Sequence, residues 1–133
     1  MSIDLGPKRV AFKKYDIRGA YPQLVDEELV YVVVKNLGEK VFKKGKVILG
    51  RDVRNSSPSL YESAKKALLE IKEVTIEDVG IITTPMLTFL INHLGASGGV
   101  MITASHNPKG DNGIKASGEG GEPISGEEML KLI

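Results

Sequence analysis

The stretch VGIITTPMLTFLINHLGASGGVMITASHNP, Val79 to Pro108, contains no Asp, Glu, Lys or Arg. It is long enough to span a bilayer, yet Pro85, Asn92, His93 and several glycines interrupt it, and its pattern changes character twice. A buried strand–helix–strand unit accounts for it better than a membrane span does. Thr84-Pro85 predicts a helix start, with a capping threonine followed by proline. Met86, Leu87, Leu90, Ile91 and Leu94 then cover much of the helix circumference, which predicts burial on more than one side. Gly95 is a natural stop, and Gly99 to Thr103 reads as the next strand. That strand runs into Thr103-Ala104-Ser105-His106-Asn107-Pro108, where a serine and a histidine meet turn-forming residues.

Moving outward, the same alternation of strands and helices continues. Phe12 to Arg18 predicts a strand entering a turn at Gly19, and Asp26 predicts an N-cap with Glu27 and Glu28 in the first turn. Leu29, Val30, Val33, Leu37 and Val41 form a helical stripe, although Val32-Val33-Val34 would also suit a strand. Lys46 to Gly50 and Val74 to Ile82 read as strands. Between them, Ser57 as cap and Pro58 as first helical residue open a helix carrying Leu60, Ala64, Ala67, Leu68 and Ile71. Asp111-Asn112-Gly113 predicts a tight turn. Together these indicate an α/β domain with a mostly parallel sheet.

The bulk properties are those of one globular domain: 133 residues, 41% apolar and 26% charged. A net charge of +1 provides no global field for nucleic acid. The first 54 residues carry a net +5 and the rest a net −4, a basic half that would suit an anionic small substrate. Cysteine is absent, which removes disulfides, zinc-thiolate sites and thiol catalysis and fits a reducing, cytoplasmic setting. Met1 to Ala11 lacks the apolar core of a signal peptide.

Ser125-Gly126-Glu127-Glu128 reads as a capping box opening a last helix with Met129, Leu130 and Ile133 on one face. An apolar stripe without a partner predicts residues 125–133 to be the start of a connecting helix. Residues 1–124 would then be the first domain of a longer protein.

Ser105 lies at the carboxyl end of a strand, where open α/β sheets place their ligands. A serine hydroxyl is a weak nucleophile and needs a base, an electrophilic clamp or a metal. His106 and Lys115 are the local candidates, with Lys115 brought back toward Ser105 by the expected turn at Asn112-Gly113. Backbone N–H groups of the loop are suited to phosphate oxygens. The residue types leave a second reading open, a polar turn in which Ser105 bonds the backbone and Asn107-Pro108 shapes the chain.

The segment Val100 to Pro108, followed by Asp111-Asn112-Gly113-Ile114-Lys115, resembles the phosphoserine loop of the α-D-phosphohexomutases: phosphoglucomutases, phosphomannomutases and phosphoglucosamine mutases. Tyr15-Asp16-Ile17-Arg18-Gly19, Gly50-Arg51-Asp52 and Thr84-Pro85 follow that family's first domain in order. The resemblance implies a three-layer α/β/α domain with a mostly parallel, mixed sheet of about four strands. It implies that Ser105 carries a phosphoryl group, donates it to a hexose 1- or 6-phosphate and recovers the other phosphate from a hexose 1,6-bisphosphate. An oxygen on phosphorylated Ser105 would bind Mg²⁺. Lys115 would be the acid/base and Arg18 would reach the same cleft. His106 and Asn107 would hold the serine and the sugar phosphate, and Tyr15 would bind substrate. The family's metal loop, sugar-reading segment and distal phosphate clamp find no match here, so partners would be a glucose, mannose or glucosamine phosphate and the remaining domains. No nucleic acid or membrane partner is implied. The isolated chain is then expected to be inactive, and a standalone sugar-phosphate-binding or interaction module is the other reading.

Other candidates read more simply. His93 is expected to be a packed or last-turn helix residue, and Arg51 with Asp52 an ion pair bracing the loop. Asn55-Ser56-Ser57 matches the glycosylation pattern by coincidence. Lys43-Lys44-Gly45-Lys46 and Lys65-Lys66 are solvated surface.

Overall fold

The apolar segments flanking the serine loop become the centre of a sheet. The computed structural model describes residues 3–133, so the first two residues of the Met1–Ala11 start lie outside it. The strands are β1 (Ile17–Ala20), β2 (Gly45–Arg51), β3 (Val74–Ile81), β4 (Gly98–Ile102), β5 (Asp111–Ser117) and β6 (Pro123–Ile124). Their order is β1-β5-β4-β2-β3, with β6 added to the free part of β5. β2 pairs in parallel with both β3 and β4, whereas β5 is antiparallel to β4, β1 and β6. Every described strand except β5 therefore points the same way. The sheet is mixed and mostly parallel, with six strands instead of about four.

Side-chain alternation sorts the strands' residues between two cores. Val47, Leu49, Val100 and Ile102 face α1 (Glu27–Leu37), α2 (Ser57–Leu69) and α4 (Gly126–Lys131). Ile48 and Met101 face α3 (Thr84–His93), which inserts Leu87 and Ile91, one helical turn apart. The helices thus form unequal layers, three against one face and one against the other. α3 is covered on one side only, contrary to the expectation of burial on several: Met86 is 46% and Phe89 61% exposed. His93 sits in the last turn as expected, stacked on Phe89 at 5.2 Å.

Two helix starts differ from the sequence reading by one residue. Asp26 caps α1 as expected, its Oδ1 accepting the Leu29 N–H at 2.9 Å. Thr83 caps α3 by accepting the Met86 N–H, and Ser56 takes the N-cap position of α2 without a side-chain cap bond, so Ser57 and Thr84 are the first helical residues. Two hydroxyl residues in a row offer equal capping signals, and tertiary contacts decide. The buried Ser57 hydroxyl donates instead to Asp52 Oδ1 at 2.5 Å.

Four further expectations are corrected. Phe12 makes only an isolated bridge to Ile17, and a 3₁₀ turn at Gly6–Ala11 precedes the short β1. Gly19 lies within β1, paired with Asn112, and is not a turn. Asp111-Asn112-Gly113 begins β5; its Asn112 amide donates to the Ser56 and Ser57 hydroxyls at 2.8 and 3.0 Å. In α4 the capping box forms, but Met129 is fully buried and Leu130, Leu132 and Ile133 pack on the first core. The stripe that looked unpartnered is covered by this domain's own helices.

Candidate active site

At the carboxyl ends of β2 and β4 the sheet opens into a cleft of about 510 Å³. Ser105, His106, Thr103, Lys115 and Asp52 stand in its wall, and the start of α3 at Thr83–Pro85 forms another part of it. Lys115 arrives by strand pairing: it lies opposite Met101 in the β4–β5 ladder, so both side chains emerge on the same face. The reversal that makes this possible lies between Ser105 and Gly110.

Ser105 adopts a left-handed backbone conformation, with φ of 53°. For a residue with a Cβ this costs about 1–2 kcal/mol, so the surroundings must hold it. The Ser105 N–H donates to Thr103 Oγ1 at 3.0 Å, and the Asn107 N–H to the Ala104 carbonyl at 3.0 Å. Thr103 thus supplies the side-chain bond of the turn. Among the described residues the Ser105 hydroxyl has no hydrogen-bond partner, so it does not act as the backbone-bonding turn residue of the second reading.

A buried carboxylate organises the basic side chains beside the loop. Asp16, its side chain 2% exposed, pairs with Arg18 Nε at 2.7 Å and Lys115 Nζ at 3.2 Å. Arg18 Nη1 donates onward to Asn107 Oδ1 at 3.2 Å, and Asn107 Nδ2 to Asp111 Oδ2 at 2.9 Å. Burying an acid alone would be costly, and two cations offset that cost. The structure therefore joins Lys115, Arg18 and Asn107 in one network and places Lys115 with Ser105 and His106 in one cleft. Tyr15 stands apart from that wall, 69% exposed, with Lys14 Nζ 5.6 Å from its ring centre.

The expected Arg51–Asp52 pair is replaced. Arg51 bonds the Asp52 carbonyl at 3.0 Å, while the Asp52 carboxylate pairs with Arg54 Nε at 3.1 Å. Neighbours along an extended chain face opposite ways, and a residue two positions on shares a side. Arg54, Asp16 and Thr103 were not singled out from sequence. Asp16 left a signal, an acid between two alternating strand residues; Arg54 left none.

A match to the family model for phosphoglucomutase/phosphomannomutase, alpha/beta/alpha domain I, extends over residues 9–133. The chain belongs to the phosphoglucomutase/phosphomannomutase family. This domain I is 38% identical over 122 residues to a phosphomannomutase of Klebsiella pneumoniae, covering 92% of this chain and 76% of that one. It is 39% identical over 128 residues to a phosphoglucomutase of Neisseria gonorrhoeae, covering 94% of this chain and 27% of that protein. It superposes on a phosphoglucomutase/phosphomannomutase family protein of Burkholderia thailandensis with a TM-score of 0.79 and 29% identity, covering 93% of this chain and 29% of that one. The chain thus spans little more than a quarter of the Neisseria and Burkholderia relatives.

The described part of domain I has no group of three or more His, Cys, Asp or Glu able to hold a metal ion. A complete Mg²⁺ site does not fit the described residues alone. Domain I does contain a pH-sensitive brace. Burial pushes the Asp52 carboxyl pKa up, but hydrogen bonds from Ser57, the Arg54 N–H and Thr103, with the Arg54 charge, outweigh it and hold the group below its usual range. A lowered folded pKa stabilises above the unfolded value of about 4 and loses that stabilisation as pH falls through the folded value. Asp52→Asn is expected to cost about 1–2 kcal/mol in denaturant unfolding at pH 7 and less at an acidic pH below the folded value. Equal losses at both would contradict this brace.

Proposed function

We propose that this chain is the catalytic-serine domain of a phosphohexomutase interconverting hexose 1-phosphate and hexose 6-phosphate. The observation that carries the reading is Ser105: held in a left-handed turn at a strand end, its hydroxyl free, in one cleft with Lys115. In the resting enzyme Ser105 carries a phosphoryl group. A free hydroxyl of the bound hexose phosphate attacks that phosphorus, the bond to Ser105 Oγ breaks, and hexose 1,6-bisphosphate forms. The hydroxyl proton leaves as the new bond forms, and Ser105 Oγ takes up a proton. After the sugar reorients, Ser105 Oγ gives up its proton and attacks the other phosphorus. The bond from that phosphorus to the sugar oxygen breaks, the sugar oxygen takes up a proton, and the product departs with the remaining phosphate.

Lys115 is placed to hold or move these protons, fixed by Asp16 at 3.2 Å. Arg18 and Asn107, bonded to each other at 3.2 Å, add positive charge and shape beside the loop. His106, exposed at the cleft, and Tyr15 are proposed contacts for sugar phosphate. Bound Mg²⁺ would offset charge on the moving phosphoryl group, with Ser105 supplying one ligand oxygen. We place the enzyme in the cytoplasm, in keeping with a chain free of cysteine. The remaining domains of the same protein would supply the other metal ligands and the sugar-reading groups, and residues 125–133 would lead into them.

Conversion of glucose or mannose 1-phosphate to the 6-phosphate tests the reading. The natural-length protein is expected to turn over, and residues 1–133 alone to show negligible activity. Turnover by the isolated chain would overturn the division of labour. Hexose phosphate binding without turnover by the natural-length protein would favour a binding module instead.

A further inference from the structure

Arg54 lies behind the serine loop, outside the wall of the cleft that holds Ser105 and Lys115. Its side chain is 14% exposed and reaches four main-chain carbonyls of the loop. Nη2 donates to Ser105 at 3.0 Å and Asn107 at 2.8 Å, while Nη1 donates to Pro108 at 2.6 Å and Asp111 at 3.2 Å. Nε donates to Asp52 Oδ2 at 3.1 Å. A guanidinium has five N–H donors, and here five acceptors take them. No donor remains for an anion. Although cationic and next to a phosphate-type loop, Arg54 is not built to bind phosphate.

The acceptors show what it is built for. They span the whole reversal, from the strained Ser105 to the first residue of β5, and all four in the loop are main-chain oxygens. Drawing those carbonyls onto Arg54 turns them from the cleft, where they would repel a phosphate. Asp52 anchors the guanidinium in turn, its Oδ1 accepting the Ser57 hydroxyl at 2.5 Å and the Arg54 N–H at 3.1 Å. The first turn of α2, a half-buried carboxylate and one guanidinium thus hold the loop.

We infer that Arg54 is the positioning residue of the serine loop, setting the place of Ser105 Oγ through main-chain carbonyls without touching substrate. The inference rests on the phosphoserine reading proposed above. Lysine could not replace it, because an ammonium on a single stem cannot reach carbonyls spread from Ser105 to Asp111.

Arg54→Lys and Arg54→Ala test this in two measurements. In residues 1–133, amide hydrogen exchange over residues 104–111 is expected to speed up at least about tenfold while β2 and β4 keep their protection. In the natural-length protein, kcat is expected to fall about 100-fold, as for a nucleophile displaced by about 1 Å, with KM changing less than about threefold. The milder lysine variant keeps the test informative if Arg54→Ala unfolds. Unchanged loop exchange, or a KM rise at constant kcat, would overturn the inference, the latter by making Arg54 a phosphate ligand. Loss of protection throughout with kcat per folded molecule unchanged would also overturn it, reducing Arg54 to fold stability. An unphosphorylated Ser105 in active wild-type protein would sink the phosphoserine reading itself, a result separate from all of these.

Discussion

Ser105→Ala is expected to lower mutase turnover of the natural-length protein by a factor on the order of 10⁴ or more, because the variant lacks the hydroxyl proposed to carry the phosphoryl group. Its effect on folding should be small. The turn's bonds belong to the main chain of Ser105 and to Thr103 Oγ1, and the alanine variant retains them. Alanine in the left-handed region bears the strain that serine already bears, so stability should stay within about 0.5 kcal/mol. Large loss of activity with little loss of stability is the signature of a nucleophile. A large loss of both would return Ser105 to a structural role.

The second large effect concerns stability. A Cβ at Gly113 would lie 2.0 Å from the Ile17 carbonyl oxygen and 2.9 Å from that of Thr103. Both are main-chain atoms in or beside the sheet, and Gly113 pairs with Arg18 in the β1–β5 ladder. Neither can yield as a flexible side chain would. Gly113→Ala is expected to cost about 3 kcal/mol or more in denaturant unfolding, since β1 must move off β5. Asp16 and Arg18 would move with β1 and leave Lys115 without its acid partner. Gly110→Ala is the control: nothing lies within 4 Å of that Cβ, and the cost should stay within about 0.5 kcal/mol. Similar costs at the two glycines would contradict the close packing of β1 on β5.

The sequence made the central unit legible because its signal was local. A charge-free run with a capped helix between two strands folds as β3–α3–β4, and Ser105 follows at the strand end. The errors came where one local signal served two purposes. Asp111-Asn112-Gly113 has the composition of a tight turn, yet Asn112 reaches α2 and Gly113 admits the Ile17 backbone. Ser56-Ser57 and Thr83-Thr84 each offered two caps, and the choice fell to contacts distant in sequence. The apolar residues of α3 predict burial on more than one side, but only one face meets the sheet.

The candidate site divides in the same way. Ser105, His106 and Lys115 were visible as residue types near a strand end, and the fold gathers them in one cleft. The supports beneath them were not visible. Arg54 is separated by 51 to 57 positions from the carbonyls it holds, and Asp16 by 99 from Lys115. No periodicity or spacing encodes such bonds; they exist only once β1, β5, β4 and β2 lie in that order in one sheet.

Intact-mass and peptide analysis of the natural-length protein, purified without added sugar phosphate, tests the central claim most directly. One phosphoryl group located on Ser105, transferred to added hexose phosphate and missing from the Ser105→Ala variant, is the expected result. A wholly unmodified Ser105 in preparations that turn over hexose phosphate would contradict the account.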